Sequence, residues 1–416
     1  MDRYIGRDAH ASSSTLGVVT SKDKRVGSHV VETNARCLSR RSFLSLAGAA
    51  VLGPLASPAS LRGAPGRSRG ASGWPGYDEA IVIDALASPL QFNIPQGGLP
   101  LTEAVVRHIR ASGITAVNLT AGVIGATAPD PFVGSVERIA EWEREMDRLP
   151  HVLRRIRRAE DLLEAKESGR LGVIYGFQDA VPLEGRLDRL ALFHGLGVRV
   201  VQLTYNDRNR LGDGALEPGD GGLSRLGHAA VEEMERLGIL VDLSHCGTRT
   251  TLEGIRAAAG PVAITHSGCN AVFPHPRNQD DQAMRLLAER GGVMGIYLMP
   301  FLNPSGPPAT RDVVAHLEHA LQVCGEDHVG IGTDQGIHPL RVDGAFQEEF
   351  DAVSARRRAM GIAAPREDTI PYVAELNHPR RMESIAQALA DRGHRDRVIE
   401  KILGANWLRL FEEVWS

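Results

Sequence analysis

LVDLSHCGTRTTLEGIRAAAGPVAITHS, running from Leu240 to Ser267, sets a short apolar run on either side of a helical segment, and each run leads into a histidine. The runs Leu240–Ser244 and Val262–His266 carry apolar side chains at successive positions. That is the pattern of a strand buried on both faces, as in a parallel sheet covered by helices. Upstream, the same kind of run recurs at Ala80–Asp84, Thr115–Thr120, Gly172–Phe177 and Arg199–Thr204, and downstream at Gly292–Leu298 and Val329–Asp334. Amphipathic stretches such as Val136–Arg148, Gly227–Leu237 and Asp281–Arg290 lie between them. Eight strand–helix units over roughly 260 residues predict an α/β fold, a (β/α)₈ (TIM) barrel, for which about 250 residues is typical. A doubly wound open sheet would want a glycine-rich fingerprint after its first strand, and Asp84-Ala85-Leu86-Ala87-Ser88 is not one. The tail, Glu367–Ser416, reads as two helices packing back on the barrel.

The chain has 416 residues, 43% hydrophobic and 24% charged, as expected of a soluble globular protein. A net charge of -4 gives no reason to expect nucleic acid or a membrane surface as partner. The four cysteines, Cys37, Cys246, Cys269 and Cys324, are too scattered for a disulfide framework or a Cys-based zinc site. They read as core thiols, with a Cys246–Cys269 bridge as the alternative.

The N-terminal extension, residues 1–75, differs from the domain that follows at 76–416. Ser39-Arg40-Arg41-Ser42-Phe43-Leu44 precedes an apolar run from Leu46 to Leu55 and a small-residue stretch, Ala56-Ser57-Pro58-Ala59. A twin arginine in that setting, at about 39–60, reads as a Tat export signal, which makes the Tat machinery a partner and the periplasm or exterior the destination. The apolar run is too short to be a stable membrane span.

Polar residues fall where these strands end: Asp84, Gln178, Thr204-Tyr205-Asn206, His245, His266 and Asp334. In a barrel the C-terminal strand ends carry the active site. Imidazoles ending consecutive strands, with a carboxylate ending the last, point to a bound metal; those ligand types suit zinc and related divalent ions.

At this level of detail the chain resembles the membrane (renal) dipeptidase family, peptidase family M19. The matching residues are Val241-Asp242-Leu243-Ser244-His245, Ile264-Thr265-His266-Ser267, Pro276-Arg277-Asn278 through Asp281, and Gly330-Ile331-Gly332-Thr333-Asp334. To these are added Gly222-Leu223-Ser224 with Gly227, and Ile402-Leu403-Gly404-Ala405-Asn406 with Arg409-Leu410-Phe411. The resemblance implies a metal-dependent hydrolase barrel with two divalent ions bridged by a glutamate, acting on dipeptides. It implies His245 and His266 as metal ligands and Asp334 as the carboxylate that handles the proton. It also implies Arg277 as the grip on the substrate carboxylate, a task suited to a planar guanidinium.

Three positions depart from the family. Leu86 and Ser88 stand where the family has a His-x-Asp ligand pair, Gln178 where it has the bridging Glu, and Tyr205 where it has a substrate-contacting His. Gln178, Tyr205 and Asn206 are therefore read as substrate-side residues of a remodelled mouth, together with His275-Pro276-Arg277-Asn278. Charge counting favours one ion over two. One divalent ion with Asp334 and a hydroxide is neutral, whereas a second leaves about two charges uncompensated in a partly dry pocket. Asp84 or Asp179 would have to supply any second site.

These readings predict an exported metal-dependent hydrolase of dipeptides or dipeptide-like amides. The alternatives are a catalytically weak or inactive barrel that binds a peptide-derived small molecule, and a tailoring enzyme for a non-ribosomal peptide. The oligomeric state is left open, a homo-oligomer included.

Overall fold

The computed structural model describes residues 73–91, 96–125, 128–359 and 363–415, all within the compact unit Ser68–Ser416. The twin-arginine segment lies outside the described residues.

The predicted strand runs form one parallel sheet in sequence order: β1 (Ile83–Asp84), β2 (Ala116–Thr120), β3 (Leu171–Phe177), β4 (Val198–Gln202), β5 (Leu240–Asp242), β6 (Ala263–Ser267), β7 (Val293–Ile296) and β8 (Val329–Ile331). The sheet closes on itself. Ala85 N donates to Ile331 O at 3.0 Å and Asp334 N to Leu86 O at 2.8 Å, and the short strands Ala87–Ser88 and Gln335–Gly336 pair in parallel beyond them. Asp84 reinforces that seam by accepting from Thr333 N at 2.7 Å and Thr333 Oγ1 at 2.6 Å.

Helices α1 (Glu103–Ser112), α2 (Pro131–Arg148), α3 (Asp188–Gly195), α4 (Arg225–Arg236), α5 (Thr248–Ala257), α6 (Asp281–Glu289) and α7 (Thr310–Cys324) alternate with the strands. Their apolar faces and the strands bury a continuous core that includes Val117, Leu119, Val201, Ile264, Met284 and Leu317. The turn motif before α4 has a local reason. Ser224 caps the helix by accepting from Gly227 N at 3.0 Å, and a Cβ on Gly227 would sit 2.1 Å from Leu211 O. After β8 come α8 (Gly344–Ala359), α9 (Arg381–Asp391) and α10 (Asn406–Val414). The expected two-helix tail is thus α9 and a second helix that breaks around Gly404, with α10 as its latter part.

The barrel interior is filled by Ile83, Ala85, Ala116, Ile174, Val200, Leu240, Ala263 and Val293, and Trp407, Leu410 and Phe411 of α10 join the same cluster. Truncating a buried side chain of Trp407's size costs about 3–5 kcal/mol, so α10 is a structural plug. Near the other end, the register of β6 against β7 shifts between Ile264 and Ser267. A Cβ on Gly295 or on Gly332 would come within 2.1 Å or 2.0 Å of Thr265 O, so both neighbouring strands need glycine there.

One strand was not anticipated. Leu153–Ile156 pairs with Leu171–Ile174 of β3, a part of β3 that β4, starting at Tyr175, does not reach. Its Arg154 and Arg155 hold Asp161 at 3.1 Å and Glu143 at 2.6 Å, which hides a strand inside a charged sequence. Cys246, Cys269 and Cys324 are buried free thiols, so the Cys246–Cys269 bridge is absent. Among the described residues, no helix is long and apolar enough to cross a membrane.

Candidate active site

Buried Asp242 arranges the two histidine-bearing turns. Its carboxylate accepts from Ser244 N at 3.1 Å, Ser244 Oγ at 2.5 Å, Thr265 N at 3.0 Å and Thr265 Oγ1 at 2.7 Å. Burial raises its pKa, and these four bonds work against the rise. The ends of β5 and β6 are thereby locked in register, and the two histidines that follow converge.

His245 Nε2 and His266 Nε2 lie 2.9 Å apart. Thr265 Oγ1 spends its only hydrogen on Asp242, so it must accept from His266 Nδ1 at 2.9 Å. His245 Nδ1 faces Asn206 Oδ1 at 2.7 Å and donates to it. Both Nδ1 protons are thus committed, and two Nε2 lone pairs face each other with no proton between them. Burial, then Arg277, holds both imidazoles well below their ordinary pKa, and each is therefore neutral. Without a cation, one Nε2 must carry a proton, and the Asn206 amide must turn over to donate to His245. As drawn, Asn206 Nδ2 has no partner.

This donor set fits one divalent ion. Ligating imidazoles commonly commit their other N–H to an oxygen, which fixes the tautomer. The fit stops there: among the described residues no group of three or more His, Cys, Asp or Glu could hold a metal. Leu86 is buried and apolar, and Ser88 Oγ accepts from Leu90 N at 3.2 Å. Asp84 is occupied at the β1–β8 seam. Asp179 accepts from Gly125 N at 3.0 Å, Asn209 Nδ2 at 2.9 Å and Val181 N at 3.2 Å. Burial pushes both carboxyls up to about 6. Neither restores a second metal site.

A cavity of about 280 Å³ opens beside His245, lined by Gln178, Tyr205, Arg277 and Asp334 as well. Gln178 Nε2 is buried with no partner. The ring of Tyr205 stacks on His245, centroids 4.1 Å apart and planes at 23°. Arg277 is 2% exposed, and its Nη1 donates to Ser244 O next to His245. Asp334 has φ of 58°, a left-handed backbone that a non-glycine residue adopts only where its surroundings impose it.

Asn206 and His266 do not line this cavity; they stand in direct contact with His245. Of His275-Pro276-Arg277-Asn278, only Arg277 lines it. The His275 ring stacks on Phe301 at 4.3 Å, and Asn278 Nδ2 donates to Phe273 O at 2.8 Å and Phe301 O at 3.0 Å.

The far wall was not foreseen from sequence. Phe350, Val353, Ser354 and Arg357 of α8, followed by Glu367, Thr369 and Pro371, roof the cavity. Arg357 Nε and Nη2 hold Glu367 Oε2 and Oε1 at 2.8 and 3.1 Å. Its side chain also hydrogen-bonds Tyr205, and with Glu367 this outweighs burial and holds the guanidinium above its ordinary pKa. Arg356-Arg357-Arg358 reads in sequence as a solvated run of charge, with nothing local to mark the middle one.

The sequence profile of the membrane dipeptidase family, peptidase family M19, matches residues 108–345. The chain is similar to Dipeptidase tcpJ of Claviceps purpurea, 28% identical over 295 residues, covering 70% of this chain and 61% of that protein. It therefore spans about three fifths of that relative. Dipeptidase verJ of Clonostachys rogersoniana is 30% identical over 278 residues, covering 66% of this chain and 68% of its own. Among solved structures, an amidohydrolase from Pseudomonas aeruginosa superposes with a TM-score of 0.69 at 29% identity, covering 82% of this chain and 98% of that one. Fold, ordered motifs and profile agree: the chain belongs to the membrane dipeptidase family, peptidase family M19.

Proposed function

We propose that the chain is an exported hydrolase of dipeptides or dipeptide-like amides that works with one divalent ion, zinc by ligand type. The observation that carries this reading is the convergence of His245 and His266 Nε2 at 2.9 Å beside a cavity shared by His245, Arg277 and Asp334. At about 280 Å³ the cavity is at the small end of ligand sites, which run from about 300 to 1,000 Å³, and suits a two-residue substrate. His245 and His266 would hold the ion, whose chemistry is to polarise the scissile carbonyl and acidify water. Arg277 grips the substrate carboxylate and sets the register, and unpartnered Gln178 Nε2 supplies a donor to the substrate. Asp334 takes a proton from water as its oxygen adds to the carbonyl carbon and the C=O pair moves onto oxygen. Collapse re-forms the C=O and breaks the C–N bond, and Asp334 returns the proton to the departing amine.

Elemental analysis of the purified protein should give one equivalent of divalent metal per chain, falling to trace in the His245→Ala, His266→Ala double variant. Two tightly held ions would overturn the one-metal reading. Leu86, Ser88 and Gln178 favour a second reading, a weakly catalytic or inactive barrel that binds a peptide-derived molecule. Zero metal with retained dipeptide binding would select it.

The export part of the proposal rests on Arg40 and Arg41. Replacing both with lysine should strand the precursor in the cytoplasm, seen by fractionation; normal processing would remove the Tat assignment.

A further inference from the structure

We propose that the Tyr205 hydroxyl is the donor that stabilises the oxyanion formed during hydrolysis, and that Arg357 and Glu367 of the roof are positioning residues that aim it. This rests on the hydrolase reading above and adds to it the role of the far wall.

The argument starts from what each group can donate. A guanidinium has N–H donors and no acceptor. In the hydrogen bond between Arg357 and Tyr205, the phenol oxygen must therefore accept. Its own O–H is free to point elsewhere, and the space it lines is the cavity shared with His245, Arg277 and Asp334. The ring cannot turn away, because it is stacked on His245 at 4.1 Å. Arg357 is itself fixed. Glu367 takes its Nε and Nη2 edge at 2.8 and 3.1 Å, which leaves Nη1 for the phenol. Ser354 Oγ, three residues before Arg357 on the same helix, donates to Glu367 O at 3.3 Å and ties the helix to that loop. Burial raises the phenol to about 12 while Arg357 pulls the other way, so Tyr205 meets the substrate as a polarised neutral donor. The step needs no proton transfer from Tyr205. As water adds, the carbonyl oxygen gains the electron pair and accepts the phenol hydrogen bond, and it loses both on collapse.

The test uses steady-state kinetics on a dipeptide and inhibition by a phosphinate dipeptide mimic, whose tetrahedral anionic centre resembles the intermediate. Tyr205→Phe keeps the ring and its stack. It should lower kcat by about 10²–10³-fold, the usual cost of one oxyanion donor, with KM nearly unchanged and phosphinate affinity reduced alongside. Arg357→Gln should lower kcat by roughly tenfold in the otherwise native protein and by nothing further in the Tyr205→Phe background, because it acts only through the phenol. Arg357→Lys should recover part of that loss. Equal costs of Arg357→Gln in both backgrounds would show a merely structural role and overturn the proposal. So would a Tyr205→Phe variant that binds phosphinate as the native protein does. If the native protein neither hydrolyses dipeptides nor binds the phosphinate, the hydrolase reading itself fails, which is a different result.

Discussion

Asp334→Asn should lower kcat on a dipeptide by about 10²–10⁴-fold, the usual contribution of a positioned general acid–base group, with KM little changed. The substitution removes the basic oxygen and little else. Asparagine tolerates the left-handed backbone that Asp334 adopts at φ of 58°, and the backbone bond from Asp334 N to Leu86 O at 2.8 Å survives. Metal content should be retained, because in this reading the ion is held by His245 and His266. Steady-state kinetics and elemental analysis of the same preparation check both statements. An unchanged kcat would take the proton-handling role away from Asp334, and loss of the ion would make Asp334 a ligand.

Arg277→Ala should raise KM for free-acid dipeptides by roughly 10- to 150-fold, the equivalent of the 1.5–3 kcal/mol of a charge-assisted hydrogen bond. The corresponding C-terminal amides should suffer far less. The comparison matters because Arg277 has a second occupation. Its Nη1 donates to Ser244 O, beside the ligand His245, so removing it also loosens that turn. That part of the loss falls on acid and amide alike, and the ratio of the two KM changes isolates carboxylate recognition. Equal changes would leave Arg277 as a brace for the histidine turn alone.

What the sequence made legible follows from how locally each feature is encoded. The barrel strands show because both faces of each are buried, so apolar runs such as Leu240–Val241 and Val262–Ile264 stand out against charged helices. His245 and His266 show because they end consecutive runs. Leu153–Ile156 does not, because its two arginines are neutralised by Glu143 and Asp161, partners brought in by the fold. Asp84 and Asp179 looked available as ligands; the hydrogen bonds that occupy them come from residues as distant in sequence as Thr333. The roof was invisible for the same reason. Arg357 has meaning only once α8 lies across the mouth, and its partners Tyr205 and Glu367 come from separate stretches of chain.

The plug at the base of the barrel has a consequence for how this chain comes to be folded. Trp407, Leu410 and Phe411 complete a cluster begun by Ile83 and Ala85. Trp74 Nε1 reaches Asp396 Oδ1 at 2.8 Å, and Arg380 Nη2 reaches Asp78 Oδ1 at 2.9 Å. The beginning and end of the domain are therefore partners, and loop-closure entropy must be met before those contacts return anything. A ribosome-bound chain can pair β1 with β2 early. It cannot seal the barrel or fill its base until the last helix has been released, so apolar strand surface stays open throughout synthesis, the condition under which partly folded chains associate.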